Sequence, residues 1–253
     1  MSRMRVVQQL RQWAESLLVP AQSVCLLCKR PSRQLVNRRI SICMACADEL
    51  PRIRKVVCTT CGRAADCHDC ARREQTYFLE SRSSVSYTAE MKELLARYKY
   101  RGDERLQQVL AWMMITATPT FTQLPMQRKI PQIDVITYVP ISQKRLLERG
   151  FNQAEQLAAG LGLHWKKPVV PLLMRARHTE KQSHKSRHER LADMQELFQL
   201  DQAAVIPSAY TLGRPPRILI IDDVYTTGST MNECAKIISQ QLHADVYGFT
   251  WAR

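Results

Sequence analysis

Two groups of residues in this 253-residue chain have types and spacings suited to chemistry. The first is eight cysteines in four C-x-x-C pairs: Cys25 and Cys28, Cys43 and Cys46, Cys58 and Cys61, Cys67 and Cys70. A C-x-x-C turn lets two thiolates reach one tetrahedral ion, and a second pair completes a four-sulfur site. The stretch holding them has too few apolar side chains for a core of its own, so disulfides or metal must hold it together. The N-terminus has no uninterrupted apolar run and no small-residue cleavage site, which argues against secretion and so against disulfides. Two structural zinc ions, each with four cysteines, are the expectation; a redox dithiol is the alternative. Sequential pairing is favoured, because the short "GRAAD" spacer between Cys61 and Cys67 closes a tight loop, whereas an interleaved scheme needs longer crossings. His68, inside the last pair, is expected to face solvent or bond a sulfur.

The second group is "ILIIDDVYTTGST", Ile218 to Thr230. Four aliphatic residues lead straight into Asp222 and Asp223, and a turn of small hydroxylic residues around Gly228 follows. Backbone N–H groups of Thr226 to Thr230 would lie at a helix N-terminus, where unpaired donors and the helix dipole favour an anion. Thr226, Thr227, Ser229 and Thr230 add hydroxyl donors, and Gly228 lets the backbone approach closely. Together they suit a phosphomonoester. Asp222 and Asp223 are acceptors spaced for vicinal hydroxyls, as on a ribose. A capped helix after a strand, with Asp223 as a turn residue, is the alternative. The chain contains no G-x-x-x-x-G-K-[ST], which excludes a P-loop.

These groups need a scaffold. After about residue 80 the cysteine pairs stop and helical and strand patterns alternate. "AEMKELLARYKYRGDERLQQVLAWMMITA" has helical periodicity broken at Arg101-Gly102-Asp103. Ile133 to Pro140 reads as a strand, and "RGFNQAEQLAAGLG" as a helix ending near Gly160 or Gly162. Arg217 to Asp222 reads as a strand buried on both faces. "GSTMNECAKIISQQLH" reads as an amphipathic helix and "ADVYGFTWAR" as a final strand. Strands alternating with helices predict a parallel sheet flanked by helices, with ligands bound beyond the strands' carboxyl ends.

Charge narrows the partners. Thirty-seven Lys and Arg against 23 Asp and Glu give +14, with an isoelectric point near 9.6. Two four-thiolate zinc sites, each of net −2, bring this to about +10. The balance still favours an anionic partner. No apolar run is long enough to cross a bilayer. Val6, Leu10, Trp13 and Leu17 share one face of an expected N-terminal helix.

"ILIIDDVYTTGST" closely resembles the ribose-phosphate signature of type I phosphoribosyltransferases. "VPISQKRLLERGFNQAEQLA", Val139 to Ala158, resembles the hallmark of the ComF family of competence and DNA-uptake proteins, whose four-cysteine modules also precede such a domain. The resemblance spans nearly the whole chain. With the periodicity and composition above, it gives an N-terminal helix over 1–24, a double four-cysteine zinc module over 25–80 and a phosphoribosyltransferase-like α/β domain over 81–253. It further implies a cytoplasmic protein that handles incoming single-stranded DNA during natural transformation, alongside other DNA-uptake proteins. Phosphoribosyl pyrophosphate, accompanied by magnesium, would bind with its ribose on Asp222 and Asp223 and its 5′-phosphate in the 226–230 loop. Val139-Pro140 and the following turn match the pyrophosphate loop, which makes Arg145 and Arg149 candidates to bind the diphosphate. Gly150, Phe151 and Asn152 complete that signature, and "RARHTEKQSHKSRHERL" matches a loop that closes over such sites.

Within that last stretch, Lys181, Lys185 and Arg187 are candidates for nucleic-acid phosphates. "RYKYRGD" and "HWKK" interleave aromatics with cations, making Tyr98, Tyr100 and Trp165 candidates for base stacking; core aromatics beside solvated lysines are the alternative. Catalytic transfer to an unidentified acceptor is the alternative to a DNA-handling role, because a ribose-phosphate site demonstrates binding better than turnover.

Overall fold

The computed structural model describes residues 23–37, 39–117, 126–127, 130–175, 197–204 and 213–253. Nearly all of the expected N-terminal helix lies outside them, as do Lys181, Lys185 and Arg187. The chain divides into two compact units, Met1–Glu49 and Leu50–Arg253. The division falls between the two cysteine clusters.

In the first unit, β1 (Ser23–Val24) and β2 (Pro31–Ser32) form an antiparallel pair around the Cys25–Cys28 turn. Cys25 N–H donates to the Arg30 carbonyl at 3.0 Å, and Lys29 takes a left-handed φ of 62° to turn the chain. A single bridge between Leu35 and Cys43 brings in the second pair, followed by the short helix α1 (Met44–Asp48).

In the second unit the sheet runs in the order β3 (Glu80–Val85), β10 (Asp245–Ala252), β9 (Arg217–Val224), β6 (Val135–Tyr138), and every pairing is parallel. Parallel neighbours require crossovers. These are α3 (Ala89–Tyr100) with α4 (Leu106–Ala117), α5 (Gln143–Arg149) with α6 (Gln153–Trp165), and α7 (Ser229–Leu242). The break at Arg101-Gly102-Asp103 separates α3 from α4 as expected, with Gly102 at φ 63°. Short antiparallel pairs complete the unit: β4 (Met126–Gln127) with β5 (Ile130–Pro131), and β7 (Leu173–Arg175) with β8 (Phe198–Leu200). Ile218 to Ile221 are fully buried on both faces of β9, and the strand becomes part-exposed only at Asp222. Central strands of a helix-covered parallel sheet need this continuous hydrophobicity.

Two elements depart from the sequence reading. Helix α6 runs through Gly160 and Gly162 to Trp165, with Lys166 as a left-handed cap. The glycines serve packing: a Cβ on Gly160 would lie 2.9 Å from Ala111 Cβ, and one on Gly162 would overlap Val169. The edge strand β3, "ESRSSV", is buried at all six positions although its sequence is polar. Edge strands need cover, and here the segment containing the second cysteine cluster supplies it. Ser81 N–H donates to the Thr60 carbonyl at 2.7 Å, Ile53 N–H to the Ser84 carbonyl at 3.2 Å, and Arg82 Nη1 to the Thr59 carbonyl at 2.8 Å. Arg82 also pairs with the buried Glu80.

Candidate functional site: a helix-start loop and two four-cysteine clusters

The eight paired cysteines gather into two clusters, Cys25/Cys28/Cys43/Cys46 and Cys58/Cys61/Cys67/Cys70, and within each the sulfurs all lie within 4.8 Å of one another. This is the sequential pairing. A tetrahedral ion with Zn–S near 2.3 Å needs sulfur–sulfur separations of about 3.8 Å. The Cys28–Cys43 and Cys61–Cys67 separations are 3.9 and 3.4 Å. Burial raises the Cys25 thiol, but N–H groups of Cys43, Cys28 and Leu27 outweigh it and bring the pKa to about 7. Cys67 reaches about 7 in the same way, with the Cys70 N–H leading the lowering influences. Burial and the neighbouring thiols push Cys46 and Cys70 the other way, upward, so the fit to structural zinc rests on the donor set and its geometry. His68 opens the short helix α2 (His68–Ala71) and is not needed as a ligand.

The candidate ligand site forms where β9 leaves the sheet. Register places Tyr138 beside Ile221 and Thr250 beside Asp222, so Asp222 and Asp223 emerge at the carboxyl edge. Asp223 N–H donates to Asp222 Oδ1 at 2.8 Å. Burial first, and the neighbouring Asp223 charge second, push the Asp222 carboxyl up to about 8. Lys99, at the end of α3, lies 2.5 Å from Asp223 Oδ2 and offsets part of that repulsion. Lys99 is a site residue the sequence reading missed. It sits more than a hundred residues from Asp223, in a stretch that read only as aromatics alternating with cations.

Beyond Val224 the chain turns through Tyr225 to Gly228 into α7. Gly228 caps the helix at φ 81°, with no side chain on its first-turn donors in the usual capping position. Thr226, Thr227, Ser229 and Thr230 are exposed, and Gly228 is buried. The Thr227 and Ser229 hydroxyls lie 2.8 Å apart, and Ser229 N–H reaches Thr227 Oγ1 at 3.4 Å. A small pocket is lined by Asp222, Tyr225, Thr226, Gly228, Thr230 and Thr250. An uncapped start of a 14-residue helix with hydroxyls around it is an anion-receptive surface.

Of the two arginines, Arg149 is anchored between α6 and the end of α3. Its Nη1 donates to Gln153 Oε1 and its Nη2 to Tyr100 Oη, both at 2.8 Å, beside the Lys99 that meets Asp223. Arg145 is exposed on α5; its charge, after burial, lowers the pKa of Arg175. Gly150, Phe151 and Asn152 have structural roles. Gly150 ends α5 at φ 78°, and Phe151 meets the Tyr98 ring at 5.2 Å. Asn152 caps α6 while donating to the Val139 carbonyl at 3.1 Å.

The stacking candidates require correction. Tyr98 is 1% exposed and bonds Gln156, and Trp165 is 3% exposed and stacks on Phe249. Both belong to the core because α3 and α6 turn these faces inward. Of the three, Tyr100 alone is open to solvent, at 67%.

Fold and site together define a parallel α/β domain combined with two four-cysteine clusters that could each hold a metal ion. No family model matches the chain. It is 29% identical over 248 residues to the competence protein ComFC of Bacillus subtilis, covering 91% of this chain and 95% of that one. It is 28% identical over 235 residues to the DNA utilization protein YhgH of Salmonella typhi, covering 88% and 92%. Among solved structures, an adenine phosphoribosyltransferase aligns with 63% of this chain and 75% of its own, at 18% identity and a TM-score of 0.31. The similarity to these competence and DNA-utilization proteins runs over about nine-tenths of the chain. Among the described residues no helix is long and apolar enough to cross a membrane.

Proposed function

We propose that this protein binds phosphoribosyl pyrophosphate with magnesium at the carboxyl end of β9, and that this site serves the cytoplasmic handling of single-stranded DNA during uptake. One observation carries the ligand: paired carboxylates at the end of the central strand run directly into an uncapped helix start ringed by hydroxyls. A ribose diol adjoining its own 5′-phosphate matches both halves. Asp222 and Asp223 accept from the diol, and the 226–230 loop donates to the phosphate. Arg149 and Lys99 supply positive charge toward the pyrophosphate. The carboxylate and hydroxyl oxygens are hard donors that suit magnesium, which would neutralise charge on the pyrophosphate.

Support for the DNA role is the net +14 charge, still basic after two zinc sites, and the competence and DNA-utilization names of the relatives. Other uptake proteins are the expected partners. Calorimetric titration with phosphoribosyl pyrophosphate and magnesium, with and without single-stranded DNA, tests the reading. Saturable binding whose affinity changes when DNA is present supports it. Absence of binding to either ligand overturns it.

A further inference from the structure

The second cysteine cluster is built into the wall behind the ribose-phosphate loop. Cys61 is fully buried in the same apolar core as Ile218, Ile220 and Met231. The chain leaving Cys70 reaches the loop within three residues: Arg73 N–H donates to the Cys70 carbonyl at 3.3 Å, and Arg73 Nη2 donates to the Thr227 carbonyl at 2.6 Å. The same nitrogen would lie 2.8 Å from a Cβ on Gly228, so the guanidinium fills the space behind that glycine. Two further links clamp this segment to the first turns of α7. Tyr77 N–H donates to Asn232 Oδ1 at 2.9 Å, and Asn232 Nδ2 donates to the Gln75 carbonyl at 3.1 Å. From the other side, Arg253 Nη1 donates to the Cys61 carbonyl at 2.5 Å, and its guanidinium lies 4.5 Å from the centre of the Tyr225 ring. Tyr225 is 4% exposed, and its hydroxyl is buried at the pocket wall.

We propose that Arg73 is a positioning residue for the 226–230 loop, and that metal in the Cys58/Cys61/Cys67/Cys70 cluster fixes Arg73 and so sets the loop's affinity for a sugar phosphate. The physical logic is short. A carbonyl that accepts a charged donor behind the loop is turned away from the anion side, leaving N–H groups of the loop facing the ligand. Arg73 holds that orientation only while its own backbone is held, and its backbone hangs from Cys70. Two sites that share a rigid connection are linked reciprocally: metal tightens ligand binding by some factor, and ligand tightens metal binding by the same factor. The inference rests on the ribose-phosphate reading above and adds the metal dependence.

The test uses zinc-loaded full-length protein with phosphoribosyl pyrophosphate and magnesium as the probe, read by calorimetry and by zinc release to a chromogenic chelator. Arg73→Ala should keep wild-type zinc content and weaken binding by about tenfold to a hundredfold, the range for loss of a charged hydrogen bond. Arg73→Lys, which can still donate to the Thr227 carbonyl, should recover part of that loss. In the wild type, saturating ligand should slow zinc release from one of the two clusters; in Arg73→Ala that protection should fall away. Ligand binding by the wild type with equal affinity in Arg73→Ala, or zinc release indifferent to ligand, would overturn the coupling and leave the ribose-phosphate site standing. No binding by the wild type would overturn both.

Discussion

Placing a methyl group on Gly228 tests the loop's construction, because the structure separates its two costs. At φ 81° any L-residue is in the left-handed region, which costs about 1 kcal/mol. A Cβ there would also overlap the Tyr225 hydroxyl and lie 2.8 Å from Arg73 Nη2. Both neighbours are pinned, Tyr225 by burial and Arg73 by its bond to Thr227. Overpacking of this kind adds about 1–3 kcal/mol, so Gly228→Ala should lose roughly 2–4 kcal/mol in all. Gly102 is the control, since it has φ 63° and nothing within 4 Å of its Cβ position. Gly102→Ala should therefore lose only the conformational cost, about 1 kcal/mol. Urea denaturation of the three zinc-loaded proteins gives both differences, and ligand titration should show Gly228→Ala binding at least about tenfold more weakly. Equal losses for the two variants would refute the close packing of Tyr225 and Arg73 behind the loop.

Asp222 sets a pH dependence. Its folded pKa of about 8 stands above the ordinary 3.8, so its contribution to stability is fully present below about pH 4 and is lost as pH rises through 8. Above pH 8, Asp222→Asn should therefore be more stable than the wild type. Ligand hydroxyls favour the carboxylate, so affinity for phosphoribosyl pyrophosphate should rise between pH 6 and 8, and Asp222→Asn should flatten that rise in calorimetric titrations. Metal analysis should return about two zinc per chain, and chelation should unfold the cysteine-rich segments, as seen by circular dichroism. Single-stranded DNA affinity should fall with salt at a log–log slope near −0.7 per phosphate contact. Changing Lys181, Lys185 and Arg187 together should flatten that slope in fluorescence anisotropy while leaving zinc content unchanged.

The sheet was legible where hydrophobicity alone determines structure. "RILIID" could only be a strand covered on both faces, and Gly102 marked the break between α3 and α4. Polar β3 was not legible, because its burial depends on the cysteine segment that covers it and on the Glu80–Arg82 pair, neither of which leaves a local pattern. Gly160 and Gly162 looked like helix ends because the demand on them comes from Ala111 and Val169 on other elements. At the site, the residues contiguous in sequence, Asp222 to Thr230, stood out together. Lys99 and Arg73 did not, since each reaches its partner, Asp223 or Thr227, from more than a hundred positions away. Tyr98 and Trp165 were ambiguous for the opposite reason: an aromatic between cations looks the same whether its ring turns inward or outward.

The central claim is that the end of β9 and the following turn bind a ribose phosphate. Its most direct test is titration of phosphoribosyl pyrophosphate with magnesium into the wild type and into the Asp222→Ala/Asp223→Ala double variant. Both side chains are only half-buried, at the carboxyl end of the strand, so the variant should keep its fold and its zinc. The account predicts saturable binding by the wild type and none by the double variant; unchanged affinity in the folded double variant would contradict it.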